Sequence, residues 1–131
     1  NGIVYDPELV AQGDWTRESG YRMADELLAH DVTAVFCMND LMAGGLYDRL
    51  DELGKKIPEE FSVVGYDDRE LSSYYKPPLT TIRLPLHDIG YRAAEVMIAL
   101  LEKRIVPQEE EVIYQMPCEM LIRKSVQDYK L

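Results

Sequence analysis

The sequence predicts an α/β fold, a mostly parallel sheet flanked by helices, and three observations carry that prediction. Short apolar runs alternate along the chain with longer segments whose apolar residues recur at helical spacing. The innermost runs are flanked by polar residues on both sides, as buried strands of a parallel sheet are. Three polar clusters, Gly13-Asp14-Trp15, Asn39-Asp40 and Asp67-Asp68, directly follow three of the runs. In open parallel sheets the ligand crevice lies outside the carboxyl ends of the strands.

Taken in order, Leu9-Val10-Ala11 reads as a short strand that ends at Gly13-Asp14-Trp15. A helix follows over residues 17–28, with Thr16 as N-cap and Gly20, Ala24, Leu27 and Leu28 as its inner stripe. Thr33 to Met38 is a buried strand. Asn39 or Asp40 caps the next helix, which buries Met42, Leu46, Leu50 and Leu53 and stops at Gly54. Phe61 to Tyr66 is a strand opening into Asp67-Asp68, and Leu79 to Arg83 is another, entered from Pro77-Pro78. Pro85 starts the best-patterned helix, with Leu86, Ile89, Ala93, Met97, Leu100 and Leu101 on one side. Val112 to Met116 and Met120 to Arg123 finish the chain as short strands, and Glu109-Glu110-Glu111 is a solvated turn.

The 131 residues suffice for one domain of ordinary size. An apolar content of 47% against 29% charged is the balance of a soluble globular protein. No apolar run approaches the ~20 residues of a membrane span, and no secretory signal opens the chain. Cys37, inside an apolar run, reads as a small buried hydrophobe. Two lone cysteines without metal-ligand spacing suggest a reducing cytosol rather than a disulfide framework. The net charge is −10, and the basic residues are scattered, with no grouping denser than the pairs Lys55-Lys56, Lys103-Arg104 and Arg123-Lys124. Phosphate contacts need several Lys and Arg on one face, so this chain is not expected to bind DNA by itself.

The three polar clusters offer an aromatic face, an amide that donates and accepts, and carboxylates that accept from hydroxyls. That inventory suits a sugar, with C–H faces on the indole of Trp15 and hydroxyls bridging to Asn39 and Asp67. Plainer readings stand beside it. A lone Trp is by default a packing residue, Asn39 and Asp40 serve equally as helix caps, and Asp67-Asp68 serves as a polar turn. Catalysis finds little support. No GxSxG elbow, GxGxxG turn, Walker loop or HExxH is present, and neither Ser62 nor Ser72-Ser73 has an identifiable base. No catalytic residue, metal site or cofactor is therefore expected. His30 suits a helix end electrostatically, and His87 has no partner assignable from sequence.

Five segments resemble, in order and spacing, the C-terminal half of lactose/galactose-repressor (LacI/GalR) family proteins. They are Gly13-Asp14-Trp15-x-x-x-Ser19-Gly20-Tyr21, Ala34-Val35-Phe36-Cys37-Met38-Asn39-Asp40-x-Met42-Ala43, Phe61-Ser62-Val63-Val64-Gly65-Tyr66-Asp67-Asp68, Pro77-Pro78-Leu79-Thr80-Thr81-Ile82-Arg83 and Leu121-Ile122-Arg123-Lys124-Ser125. The resemblance implies an incomplete periplasmic-binding-protein-like subdomain, the effector-sensing part of a cytoplasmic repressor. It divides the chain into residues 1–84 and 105–131, belonging to the C-terminal subdomain, and a helix over 85–104 that packs on an N-terminal subdomain. It implies that Trp15 stacks on the effector and that Asn39 and Asp67 bond its hydroxyls. Sugar-binding relatives often carry Trp at that position, where a purine-binding relative carries Phe. The lactose repressor has Gln where Leu84 stands here, which leaves galactoside specificity open. The family implies a homodimer, formed through the helix from Met42 to Leu53 and the Ser72–Tyr75 stretch. Operator DNA would be bound only through a separate headpiece, and no membrane is involved. The first strand of the subdomain would precede Asn1, leaving a sheet edge open and the stripe of the 85–104 helix exposed. The alternative of another class is the sugar-binding protein of an ABC transporter, which shares fold and sugar chemistry.

Overall fold

The computed structural model describes residues 4–105 and 113–128. The chain forms two compact units, one running to Arg83 and resuming at Met120, the other spanning Leu84–Glu119.

The sheet contains β1 (Ala34–Phe36), β2 (Ser62–Asp67), β3 (Thr80–Arg83) and β4 (Glu119–Leu121), in that spatial order. β1 and β2 are parallel with Phe36 opposite Val64, and β2 and β3 are parallel with Val64 opposite Thr80. The carboxyl ends of β1 and β2 therefore open on the same side of the sheet. The α/β architecture agrees with the sequence expectation, whereas several element limits do not. Leu9-Val10-Ala11 is not a strand. Pro7–Leu9 forms one 3-10 turn, capped by the carboxylate of Asp6, because Pro7 presets the helical φ and no strand lies alongside. β1 is narrower than expected and mostly exposed, since it is the edge of the sheet rather than an inner strand. Residues 113–116 have no strand conformation, while Val112 and the Glu109–Glu111 stretch lie outside the described residues. β4 stops at Leu121 because the amide of Arg123 turns instead to the Thr80 hydroxyl at 2.9 Å.

Two helices cover this unit. In α1 (Arg17–Leu28), Thr16 is the N-cap and accepts from the Ser19 amide. In α2 (Asp40–Glu52), Asn39 caps by accepting from the Met42 amide, and Gly54 ends the segment at φ 67°. The helices meet on small residues. A Cβ at Gly45 would stand 1.9 Å from the Arg17 carbonyl oxygen, and one at Gly20 would stand 2.1 Å from that of Met42. Each glycine costs a helix interior about 1 kcal/mol against alanine, which the close backbone contact offsets. The core beneath comprises Ala24, Ala43, Leu46, Tyr47, Leu50, Phe61, Val63 and Leu79. Leu53, expected inside, is 44% exposed because it lies at the C-cap, past the last buried turn.

The second unit is built on α3 (Leu86–Leu101). Ile89, Val96, Met97 and Leu100 line a groove of about 600 Å³ together with Tyr114 and Met116. The Arg92 guanidinium stands 4.6 Å from the centroid of the Tyr114 ring. Met97 and Leu101 on α3 are exposed. His87, for which the sequence suggested no partner, lies 3.2 Å from the Asp88 carboxylate at the exposed start of the helix.

Candidate functional site

The turn from β2 into the next segment brings Asp67 to the open end of the sheet, and the β1–α2 junction brings Asn39 to the same end. Trp15 arrives from the loop before α1 and is tied there directly. The Asn39 side-chain Nδ2 donates to the Trp15 carbonyl oxygen at 2.9 Å, while its Oδ1 accepts from the Met42 amide at 2.7 Å. One side chain thus caps α2 and pins the loop that presents the tryptophan. Asn39 is 6% exposed, whereas Trp15 is 61% exposed. The packing role expected by default for a lone Trp is absent. The capping role of Asn39 is present, and one N–H and one lone pair of its amide have no further partner among the described residues.

The backbone at this end of the sheet is unusual. Trp15 has φ 70°, Asp67 φ 102° and Asp68 φ 53°, all in the region that favours glycine. Non-glycine residues held there cost on the order of 1–3 kcal/mol each and cluster at binding sites. Hydrogen bonds within the Trp15 loop hold the first of these conformations. The Ser19 hydroxyl accepts from the Asp14 amide at 3.1 Å, and the Asp14 carboxylate accepts from the Thr16 amide at 3.2 Å. Hydrogen bonds from Thr16 and Ser19 keep the exposed Asp14 carboxyl below the usual carboxylate range.

Asp67 and Asp68, adjacent in sequence, have different surroundings. Asp67 is the more accessible of the two, its side chain 29% exposed against 12% for Asp68, with the Arg69 Nε at 3.7 Å. Asp68 turns inward between two arginines, accepting from Arg123 Nη2 at 2.6 Å and from Arg83 Nε at 2.8 Å. Burial pushes its carboxyl upward, but the hydrogen bonds from Arg123 and Arg83 together outweigh it and hold the group low. Arg123 also donates to the Ser72 hydroxyl at 2.9 Å and to the Leu79 carbonyl at 2.8 Å. Asp68 is thus engaged in holding the fold, and Asp67 is the carboxylate left more accessible.

Two participants went unassigned at the level of sequence. Asp40, read as a helix cap, is fully buried and bonded to Thr81 and to the Arg69 amide. Arg123, an arginine beside a strand in an acidic protein, was itself the available signal of a buried acidic partner. Among the described residues, no group of three or more His, Cys, Asp or Glu side chains is placed to hold a metal ion. No described helix is long and apolar enough to cross a membrane. Burial, then the charge of Asp40, push the Cys37 thiol up to about 12, so at neutral pH it stays protonated and packs as a small hydrophobe.

A family model described as a periplasmic binding protein-like domain matches residues 1–126. The HTH-type transcriptional repressor PurR of Pasteurella multocida (strain Pm70) is 38% identical over 127 residues, covering 95% of this chain and 37% of that protein. The transcriptional regulator CelR, solved as a complex with cellobiose, matches with a TM-score of 0.86 at 33% identity, over 95% of this chain and 38% of its own. A LacI family transcriptional regulator from Enterococcus faecium, solved with bound ribose, matches with a TM-score of 0.73 at 35% identity, over 87% of this chain and 41% of its own. The chain spans well under half the length of each of these relatives.

Proposed function

This chain belongs to the periplasmic-binding-protein-like domain family, with LacI-type transcriptional regulators as its relatives, and from that premise we propose a sugar-sensing role for its strand-end rim. Trp15 supplies the stacking face, Asp67 accepts from hydroxyls, and Asn39 holds the Trp15 loop while offering its remaining N–H and lone pair. The observation that carries the reading is the placement of Trp15: exposed at the carboxyl end of a parallel sheet, in a left-handed backbone, and pinned by a buried side chain. Such an arrangement serves a ligand better than it serves stability. The sugar-bound relatives, one with cellobiose and one with ribose, support the same ligand class.

In the whole protein, a cytoplasmic dimer, the effector closes against a second subdomain. Its different affinities for the DNA-competent and incompetent forms shift the balance between them. Operator contacts lie elsewhere than in this chain, whose charge of −10 opposes phosphate binding. Titration calorimetry of the full-length protein with a panel of mono- and disaccharides tests the reading. A sugar that binds the parent protein should lose about tenfold or more in affinity with Trp15→Ala and with Asp67→Ala. Unchanged affinity in both variants would overturn it.

A further inference from the structure

Asp40 is the only acidic residue among the buried polar residues described, at 0% exposure. Its Oδ1 accepts from the Thr81 hydroxyl of β3 at 2.6 Å, and its Oδ2 accepts from the Arg69 backbone amide at 2.7 Å. The carboxylate lies over β2 at its glycine, where a Cβ on Gly65 would meet Oδ1 at 2.3 Å. One side chain therefore joins the first turn of α2 to β2, to β3 and to the chain just past Asp67-Asp68.

Capping does not explain this placement, because Asn39 already caps α2. Stability explains it poorly. Burial, the largest influence, raises the Asp40 carboxyl, the bonds from Thr81 and Arg69 oppose that, and the charges of Asp67 and Asp68 raise it further. A buried carboxylate facing two others is an unfavourable way to fill a core that an apolar side chain could fill. What the side chain supplies that an apolar one cannot is a directed acceptor for the Arg69 amide, the first N–H after two consecutive residues of positive φ. With the Arg69 amide fixed by Asp40 and the Asp68 carboxylate gripped by Arg123 and Arg83, the turn that follows Asp67 has little freedom, and Asp67 itself is held at the end of β2 opposite Arg83.

We propose that Asp40 is a positioning residue for Asp67, holding the strained Asp67–Asp68 turn through the Arg69 amide so that the Asp67 carboxylate is presented ready-made to the effector. This rests on the reading of Asp67 as an effector contact.

The test uses the full-length protein carrying Asp40→Asn, Asp40→Leu, Gly65→Ala or Asp67→Ala. Hydrogen exchange is followed in peptides containing the Arg69 amide, and cellobiose and ribose are the titrated probes. Asn can still accept from Arg69 and pair with the Thr81 hydroxyl, so exchange should stay slow and affinity within about threefold. Leu fills the volume but accepts nothing. Exchange at Arg69 should then accelerate roughly tenfold to a hundredfold, with a loss of sugar affinity of at least about tenfold. Gly65→Ala crowds the carboxylate at 2.3 Å, and the flexible end of Leu79 at 2.8 Å, without altering Asp40, and should reproduce the Leu phenotype, which covers the case in which Asp40→Leu fails to fold. Leu performing as well as Asn in both measurements overturns the proposal, because Asp40 would then be only a core filler. Affinity lost with Asp67→Ala but retained with Asp40→Leu overturns the positioning role alone. Affinity retained with Asp67→Ala overturns the site reading and the effector consequence, while exchange at Arg69 still decides whether Asp40 holds the turn.

Discussion

Asn39 Nδ2 donates to the Trp15 carbonyl oxygen at 2.9 Å, across 24 residues of sequence, and the same side chain caps α2 through its Oδ1. Asn39→Asp keeps the capping acceptor but sets a carboxylate against a carbonyl. We expect the cost to stability to stay near 1 kcal/mol, below the ~2 kcal/mol limit for losing a cap outright, while the Trp15 loop loosens. Trp15 is the only tryptophan of the chain. Among proteins with no other tryptophan, its fluorescence anisotropy reads that loosening directly, and thermal unfolding reads the stability.

Trp15→Gly should separate stability from binding. Relief of a left-handed backbone is worth roughly 1–2 kcal/mol, against an entropic handicap for glycine of roughly 0.5–1 kcal/mol. Little buried surface is lost, since Trp15 is 61% exposed. The denaturation midpoint should stay level or rise slightly while effector affinity collapses.

Arg123→Ala removes one of the two guanidinium partners of Asp68 and strips donors from Ser72 and the Leu79 carbonyl. A loss of about 2–4 kcal/mol is expected in denaturant titrations at neutral pH. The Asp68 carboxyl is held below its ordinary value in the folded protein. Its contribution is therefore fully present above the unfolded value of 3.8 and disappears as pH falls through the lower folded value. The gap between parent and variant should narrow in that acidic window and remain constant above it.

Two glycine substitutions should act with opposite sign. Gly45→Ala places a methyl 1.9 Å from the Arg17 carbonyl oxygen and forces α1 from α2, at a cost of about 1–3 kcal/mol or more. Gly90→Ala, inside α3 with nothing within 4 Å of the added carbon, should stabilise by about 0.5–1 kcal/mol. Paired denaturation curves check both.

Thiol alkylation should modify one cysteine rapidly in the native chain and both after denaturation. Cys118 is exposed, whereas Cys37 is buried with its thiol pushed up to about 12. Comparable native rates at the two would contradict the packing described around β1.

The helices were legible in the sequence because their ends carry local chemistry. Thr16, Asn39 and Gly54 act on their own neighbours, so each boundary can be read without the rest of the fold. The three parallel strands were legible as apolar runs, but their exposure was not. Ala34-Val35-Phe36 has the composition of an inner strand and lies at the edge, a matter of which strands pair, which no local pattern encodes. Leu9-Val10-Ala11 was misleading for the same reason, since an apolar triplet becomes a strand only where a neighbour offers hydrogen bonds. At the candidate site, Trp15, Asn39 and Asp67 could be named from residue type and position after strands. The division of labour between Asp67 and Asp68 could not, because it is decided by Arg83 and Arg123, the latter 55 residues away. The role of Asp40 was hidden likewise, because its partner Thr81 lies 41 residues on.

Ser125 gives the fold a particular order of assembly. Its buried hydroxyl donates to the Val63 carbonyl and accepts from the Thr80 amide, while its own carbonyl receives the Val63 amide at 2.8 Å. These contacts span 62 and 45 residues, so the start of the β2–β3 ladder keeps open valences until a segment far downstream of both strands arrives. During synthesis, all three helices and the three parallel strands precede the residue that closes that seam. Closing so long a loop late makes the nascent sheet slow to complete and dependent on protection from neighbouring chains in the interval. Completion of this sheet therefore waits on a single serine well downstream of the two strands it joins.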